Sequence, residues 1–190
     1  MQIRTSKTEV QVTGRDTAQS VIHVKLDNNE LKQTEDFVYM GGTVSSDTSC
    51  DKDTACRVGL AAGAARSLEK IWKARDISKE TKILSYHSLV QSILLYNTET
   101  WTLKEENKIS LQVFEMSVLR KILGCTRRDR VRNADITKDL ALDMDIVEVL
   151  HLRRLTYFGH CTRMDPSRYP HILLYGHTDG ARSGRGGLTT

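Results

Sequence analysis

The chain has 190 residues, 39% hydrophobic and 27% charged, a balance that suits a folded domain with a core and excludes disorder throughout. Its longest apolar runs, such as Ile93-Leu94-Leu95-Tyr96, fall far short of the roughly 20 residues that a membrane span needs, and Met1-Gln2-Ile3-Arg4 opens no signal-peptide core, so an intracellular protein with no membrane partner is expected. The net charge of +4 is mild but comes in blocks: residues 118–132 hold six basic side chains and one acidic, 133–152 one and five, and 153–190 six and two.

The first fifty residues read as strands. Val10 and Val12 alternate with polar neighbours, and Ile22, Val24 and Leu26 repeat at period two. Asp27-Asn28-Asn29-Glu30 makes a turn, and Phe37-Val38-Tyr39-Met40 runs into Gly41-Gly42, where missing side chains permit a bend or a close approach. The expectation is a small antiparallel unit, poorly anchored because nothing covers its edges. Ser45-Ser46-Asp47-Thr48-Ser49 is a loop that marks the boundary to a helical region.

From about Asp53 the period changes. Val58, Ala61, Ala65, Leu68 and Trp72 make the stripe of an amphipathic helix, with Gly59, Ala62 and Gly63 small enough for another helix to pack close. A second helix starts after the cap Ser78, runs through Ile83, Tyr86, Val90, Ile93 and Leu94, and fades near Asn97. Thr102 and Glu105 match a capping box, so a third helix extends from there to Gly124, apolar on most sides and suited to the middle of a bundle. Asn133 caps a short helix to Leu140, and a fifth covers about 146–164 with Leu150, Leu155 and Phe158 turned to the core. Beyond Pro166 periodicity is lost, and the glycines interleaved with Arg182 and Arg185 read as a flexible basic tail.

Most catalytic chemistries find no foothold. Cys50, Cys56, Cys125 and Cys161 lack the spacing of a zinc site or a disulfide framework, so free thiols and no bound metal are expected. Asp143 and Asp145 precede a helix, where the dipole favours carboxylates, and they read as terminus residues rather than metal ligands. No Gly-x-Ser-x-Gly and no phosphate loop is present. The sharpest local feature is Arg127-Arg128-Asp129-Arg130-Val131-Arg132, because clustered arginines bind phosphate oxygens bidentately. The bland alternative is helix-terminus charge with Asp129 as internal partner. Arg153 and Arg154, one turn before Tyr157 and Phe158, resemble the pairing of basic and aromatic side chains used on single strands, against the stronger alternative that Leu155 and Phe158 simply belong to the core.

Taken in order, several segments resemble the C-terminal part of non-LTR (LINE-like) retrotransposon endonuclease-reverse transcriptases. They are Arg4-Thr5-Ser6-Lys7-Thr8-Glu9, Phe37-Val38-Tyr39-Met40-Gly41-Gly42, Ile71-Trp72-Lys73-Ala74-Arg75 with Ser78-Lys79-Glu80-Thr81-Lys82, Leu94-Leu95-Tyr96-Asn97-Thr98-Glu99-Thr100-Trp101, Arg128 to Asn133, and Arg153-Arg154-Leu155-Thr156-Tyr157-Phe158-Gly159-His160. The resemblance implies a mainly α fold, with a thumb-like bundle of about five helices preceded by a small antiparallel β unit from the end of a polymerase palm. Residues 1–48 would be the partial palm, 49–132 the thumb, 133–165 a helical extension and 166–190 the basic Gly/Arg tail. Phe37, Tyr39, Gly41 and Gly42 would form a primer-grip-like hairpin, and Lys7 would match a late-palm lysine.

Arg127, Arg128, Arg130, Arg132, Arg153, Arg154, Arg182 and Arg185 would face an RNA or RNA/DNA template-primer duplex. No Phe/Tyr-Ala-Asp-Asp occurs. In such enzymes the magnesium-binding aspartates lie upstream of these segments, so the 190 residues are expected to bind no magnesium and to make no DNA alone. The alternatives are a helical protein-interaction module and an element-derived reading frame without selected function.

Overall fold

Residues 8–14, 21–26 and 28–175 are described by the structure, a computed structural model, and they are mainly helical with a few short strands. The strands make three separate pairs. β1 (Glu9–Val10) pairs parallel with β4 (Lys32–Gln33), β2 (Lys25–Leu26) antiparallel with β3 (Asn29–Glu30), and β5 (Asp36–Tyr39) antiparallel with β6 (Gly42–Ser45). The expected unit is therefore not wholly antiparallel: the period-two pattern finds strands, but it does not say which segment each will meet.

Helix α1 spans Asp51–Ser67 and α2 Glu69–Lys73, and Leu68 between them keeps right-handed helical angles. Ala61, Ala65, Leu68 and Trp72 are buried as the stripe requires. Gly59 and Gly63 are not a packing notch, since a side chain added at either meets nothing within 4 Å. Ser78 does cap α3 (Lys79–Ser85), its hydroxyl accepting from the Thr81 amide. The helix then widens into a π-helical stretch, Tyr86–Gln91, before α4 (Ser92–Leu94). Three residues beyond Leu94, Asn97 adopts a left-handed φ of 65° and turns the chain into a single 3-10 turn, Thr98–Thr100.

The long helix α5 (Glu105–Leu123) is the hub and meets α1, α2, α3, α6 and α7. Its first residue is Glu105, but Thr102 does not cap it. Lys104 occupies that position, with its ammonium on Asp51 at 2.6 Å, and the Thr102 carbonyl accepts from the Cys50 thiol. Leu111, Val118, Leu119 and Ile122 are buried, whereas Ile109 and Val113 open onto a cavity and leave α5 less enclosed than its composition suggests. The helix stops at Gly124, φ 73°, in a Schellman motif: the Gly124 amide donates to Lys121 and the Cys125 amide to Arg120. Gly124→Ala is expected to lower stability by about 1 kcal/mol, read from urea denaturation midpoints, because an L side chain is strained there.

Helix α6 (Asn133–Asp139) starts one residue early for Asn133 to cap it. Arg132 is the flanking residue, and the Asn133 side chain instead accepts from Arg120. Helix α7 (Ile146–Thr162) has a complete capping box, in which Asp145 accepts from the Val147 and Glu148 amides and Glu148 from the Asp145 amide. Asp145 is thereby a terminus residue, as its position implies. Leu150 is buried, but Leu155 and Phe158 are exposed rather than in the core. The chain then forms a further short helix, α8 (Tyr169–Tyr175), against α7, where loss of periodicity after Pro166 suggests only tail.

Candidate nucleic-acid interface

The β5–β6 hairpin is firmly held, contrary to the expectation for a strand pair with bare edges. Its turn has positive φ at both central positions, Met40 (46°) and Gly41 (81°), the requirement of a type I′ turn. Met40 is strained in that region, and two side chains fix the carbonyls beside it. The Tyr96 hydroxyl donates to the Met40 carbonyl at 2.8 Å and the Arg57 guanidinium to the Gly41 carbonyl. Arg57 also stacks 4.3 Å over the Tyr96 ring. Gly42 runs so close to Asn97 that an added side chain would lie 2.5 Å from its amide nitrogen.

Beneath the turn, the buried carboxylate of Asp53 accepts from the Thr43 amide at 3.0 Å and the Trp101 indole at 2.7 Å. At the open end Lys52 binds Asp36, whose carboxyl is held below its ordinary value by that ammonium and by the Ser45 hydroxyl. The tip therefore presents Val38, Tyr39 and Met40 to solvent, with Phe37 at the margin of exposure, on a backbone fixed from below. Arg57, Asp53, Tyr96 and Trp101 escape a sequence reading because each acts on a partner many residues away. The local hint is a pair of acids in the first turn of a helix, Asp51 and Asp53, and it does not tell which of them is buried.

The same corner brings in Arg153. Its guanidinium donates to the Leu95 carbonyl at 2.8 Å and lies 3.7 Å from Glu99, so it partly serves to close the end of α4. Beside it the Asn97–Thr100 turn, Leu152, Thr156, Tyr157 and His160 line an open cavity of about 550 Å³. Arg154 points elsewhere, into a groove between α7 and α8.

Arg127, Arg128, Arg130 and Arg132 occupy a different end of the molecule. They follow α5, whose first turn is tied to the start of α1 through Asp51, which accepts from Lys104 and Asn107. Those two ammonium and amide donors, together with Ser49, hold the Asp51 carboxyl down at about 2. With 19 residues, α5 is about 28 Å long, its first turn tied to the start of α1 and the arginine turn lying beyond its last residue.

The turn is a 3-10 turn over Arg127–Asp129 with Arg130 left-handed at φ 52°. Asp129 is not the arginines' partner. Its carboxyl accepts from the Thr126 amide at 2.6 Å and hydroxyl at 2.9 Å, and these bonds keep it below its ordinary value. All four arginines are exposed, and none has an ion pair among the described residues. Lys7, Arg182 and Arg185 lie outside the described residues.

Among the described residues no group of three or more His, Cys, Asp or Glu side chains could hold a metal ion, and no helix is long and apolar enough to cross a membrane. Comparison with family models, curated proteins and solved structures finds no match for this chain.

Proposed function

We propose that this chain binds a nucleic-acid duplex of the RNA or RNA/DNA template-primer kind, as a thumb-like fragment of a retrotransposon reverse transcriptase without synthetic activity of its own. The reading rests on one observation. The Arg127–Arg132 turn satisfies its own backbone through Thr126, Asp129 and the Arg127 carbonyl, leaving four guanidinium groups exposed with no acidic partner among the described residues. Unspent, clustered arginines are what phosphate backbones bind, with release of counterions.

The hairpin corner supports the same reading from the other end of α5. Helix α5 is about as long as eight base-pair steps, and the hairpin tip is read as a second contact for the same duplex. Tyr39 and the Gly41-Gly42 turn would then lie along the backbone near a strand terminus. Synthesis is not proposed, because the sequence contains no Phe/Tyr-Ala-Asp-Asp pair to hold two metal ions.

The test is binding of a labelled RNA/DNA primer-template duplex across a salt series. A steep fall of affinity with salt is expected for the intact chain. The triple variant Arg128→Ala, Arg130→Ala, Arg132→Ala should lower the salt slope by about three, one for each guanidinium removed from a phosphate. Affinity independent of ionic strength, or a slope unchanged by the triple variant, would sink the reading.

A further inference from the structure

The helical pair at the end of the described chain carries more apolar surface than the chain itself covers. Leu173 is 83% exposed and Leu155 68%, and Phe158 is exposed by half. With Leu174 and Pro170 these side chains line a groove of about 710 Å³ between α7 and α8. Large aliphatic and aromatic groups clustered this way on a soluble surface mark a contact site.

The charge of the same segment is one-sided. Residues 151–175 contain four arginines and one acid, Asp165. Asp165 is spent on the amide and hydroxyl of Ser167, and Glu99 at the groove's edge is paired with Arg153. Arg154 in the groove has no ion pair among the described residues, and neither have Arg163, which closes α7, and Arg168, which precedes α8.

We propose that the α7–α8 groove is a docking site for an amphipathic helix of a partner protein, one with acidic residues flanking its apolar stripe. A concave apolar channel between two helices receives side chains spaced three and four residues apart on a third. The unpaired arginines complement acidic flanks and set the orientation. A second copy of this chain fits less well, because it would bring the same arginines face to face. A lipid surface would leave the concavity unfilled. The site is distinct from the arginine turn, and its test separates the two.

The probe is a fluorescent model helix of about 18 residues, five turns, with leucines along one face and glutamates beside them. A control carries lysines in place of the glutamates. Anisotropy titration should give saturable binding of the glutamate helix, at least about tenfold tighter than the control. The double variant Leu155→Asn, Leu173→Asn should weaken it at least about tenfold with an unchanged thermal melt, since both side chains are mostly exposed. Arg154→Glu should shift preference toward the lysine helix, and the triple Arg128/Arg130/Arg132→Ala variant should bind the peptide as the intact chain does.

Absence of saturable binding up to about 1 mM would overturn the proposal. So would equal affinity for the two peptides, or binding untouched by the leucine variant. A dimer in sedimentation that the leucine variant dissolves would assign the face to a second copy instead. Leucine-dependent binding to phosphatidylserine vesicles or to single-stranded RNA, without peptide binding, would assign it to lipid or to nucleic acid.

Discussion

Replacing Asp53 by Ala is expected to destabilise the protein by about 3 kcal/mol and to loosen the hairpin selectively. The carboxylate is buried and accepts from two donors, the Trp101 indole and the Thr43 amide, and Trp101 is buried as well. Deleting the acceptor leaves the indole N–H without a partner away from water, and such an orphan costs about 1–3 kcal/mol, with the lost bond to the strand added. Asp53→Asn keeps one acceptor oxygen and should cost less. Amide exchange reads the second effect: protection along Phe37–Val44 should fall in Asp53→Ala well before protection in α5. Equal loss in both, or none in the hairpin, would show that the strands are held by something other than this carboxylate. The duplex-binding variants of the arginine turn should leave hairpin exchange unchanged.

The second large effect belongs to Glu115. It is buried near the middle of α5 and accepts from the Tyr86 hydroxyl at 2.8 Å and the Ile146 amide at 2.9 Å, joining the π-helical stretch to the start of α7. Glu115→Ala removes the acceptor of two buried donors and is expected to cost about 3 kcal/mol in urea denaturation. Burial raises the carboxyl above its ordinary 4.5, with the nearby Asp145 adding to the shift and the two hydrogen bonds opposing it. Burial and the Glu115 charge likewise push the Tyr86 phenol upward.

A carboxyl whose folded pKa is raised binds its proton more tightly when native, so its contribution is fully present below about pH 4.5 and fades as pH rises through the folded value. The half-buried Asp51 has the opposite sign, with its pKa lowered to about 2, so its contribution is lost as pH falls toward that value. Comparing the intact chain with Glu115→Gln isolates the first effect. Gln carries a constant offset of about 1–2 kcal/mol, since its amide nitrogen must face one of the donors. The gap between the two proteins should narrow as pH rises from about 4 toward about 7, and a gap independent of pH would contradict the assignment.

Local chemistry in the sequence accounts for several helix boundaries. Ser78 and Asp145 cap their helices, and Gly124 ends the longest one by adopting a conformation that other residues resist. The failures are equally local in form and long-range in cause. Thr102 has the spacing of a cap, but Lys104 is drawn to Asp51, some fifty residues earlier, and the helix starts from there. Asn133 is a good cap by type, yet Arg120 claims its side chain.

The candidate site divides the same way. The arginines are visible in the chain as a run, because the turn that presents them is built from adjacent residues. The network under the hairpin is invisible, because Asp53 and Trp101 are 48 positions apart. Leu155 and Phe158 fall on an apolar face that periodicity detects without telling what covers it. Their exposure emerges only once α8 is seen to lie alongside and leave a channel open.

The wide turn at Tyr86–Gln91 sets the phase of everything after it. One residue fewer in that stretch would restore ordinary α geometry and swing the following residues by about 100° around the helix axis. Tyr96 would leave Arg57 and the Met40 carbonyl, and Asn97 would vacate its place against Gly42. The prong at the tip of the strands thus owes its aim to a single surplus residue in the helix that leads to Tyr96 and Asn97.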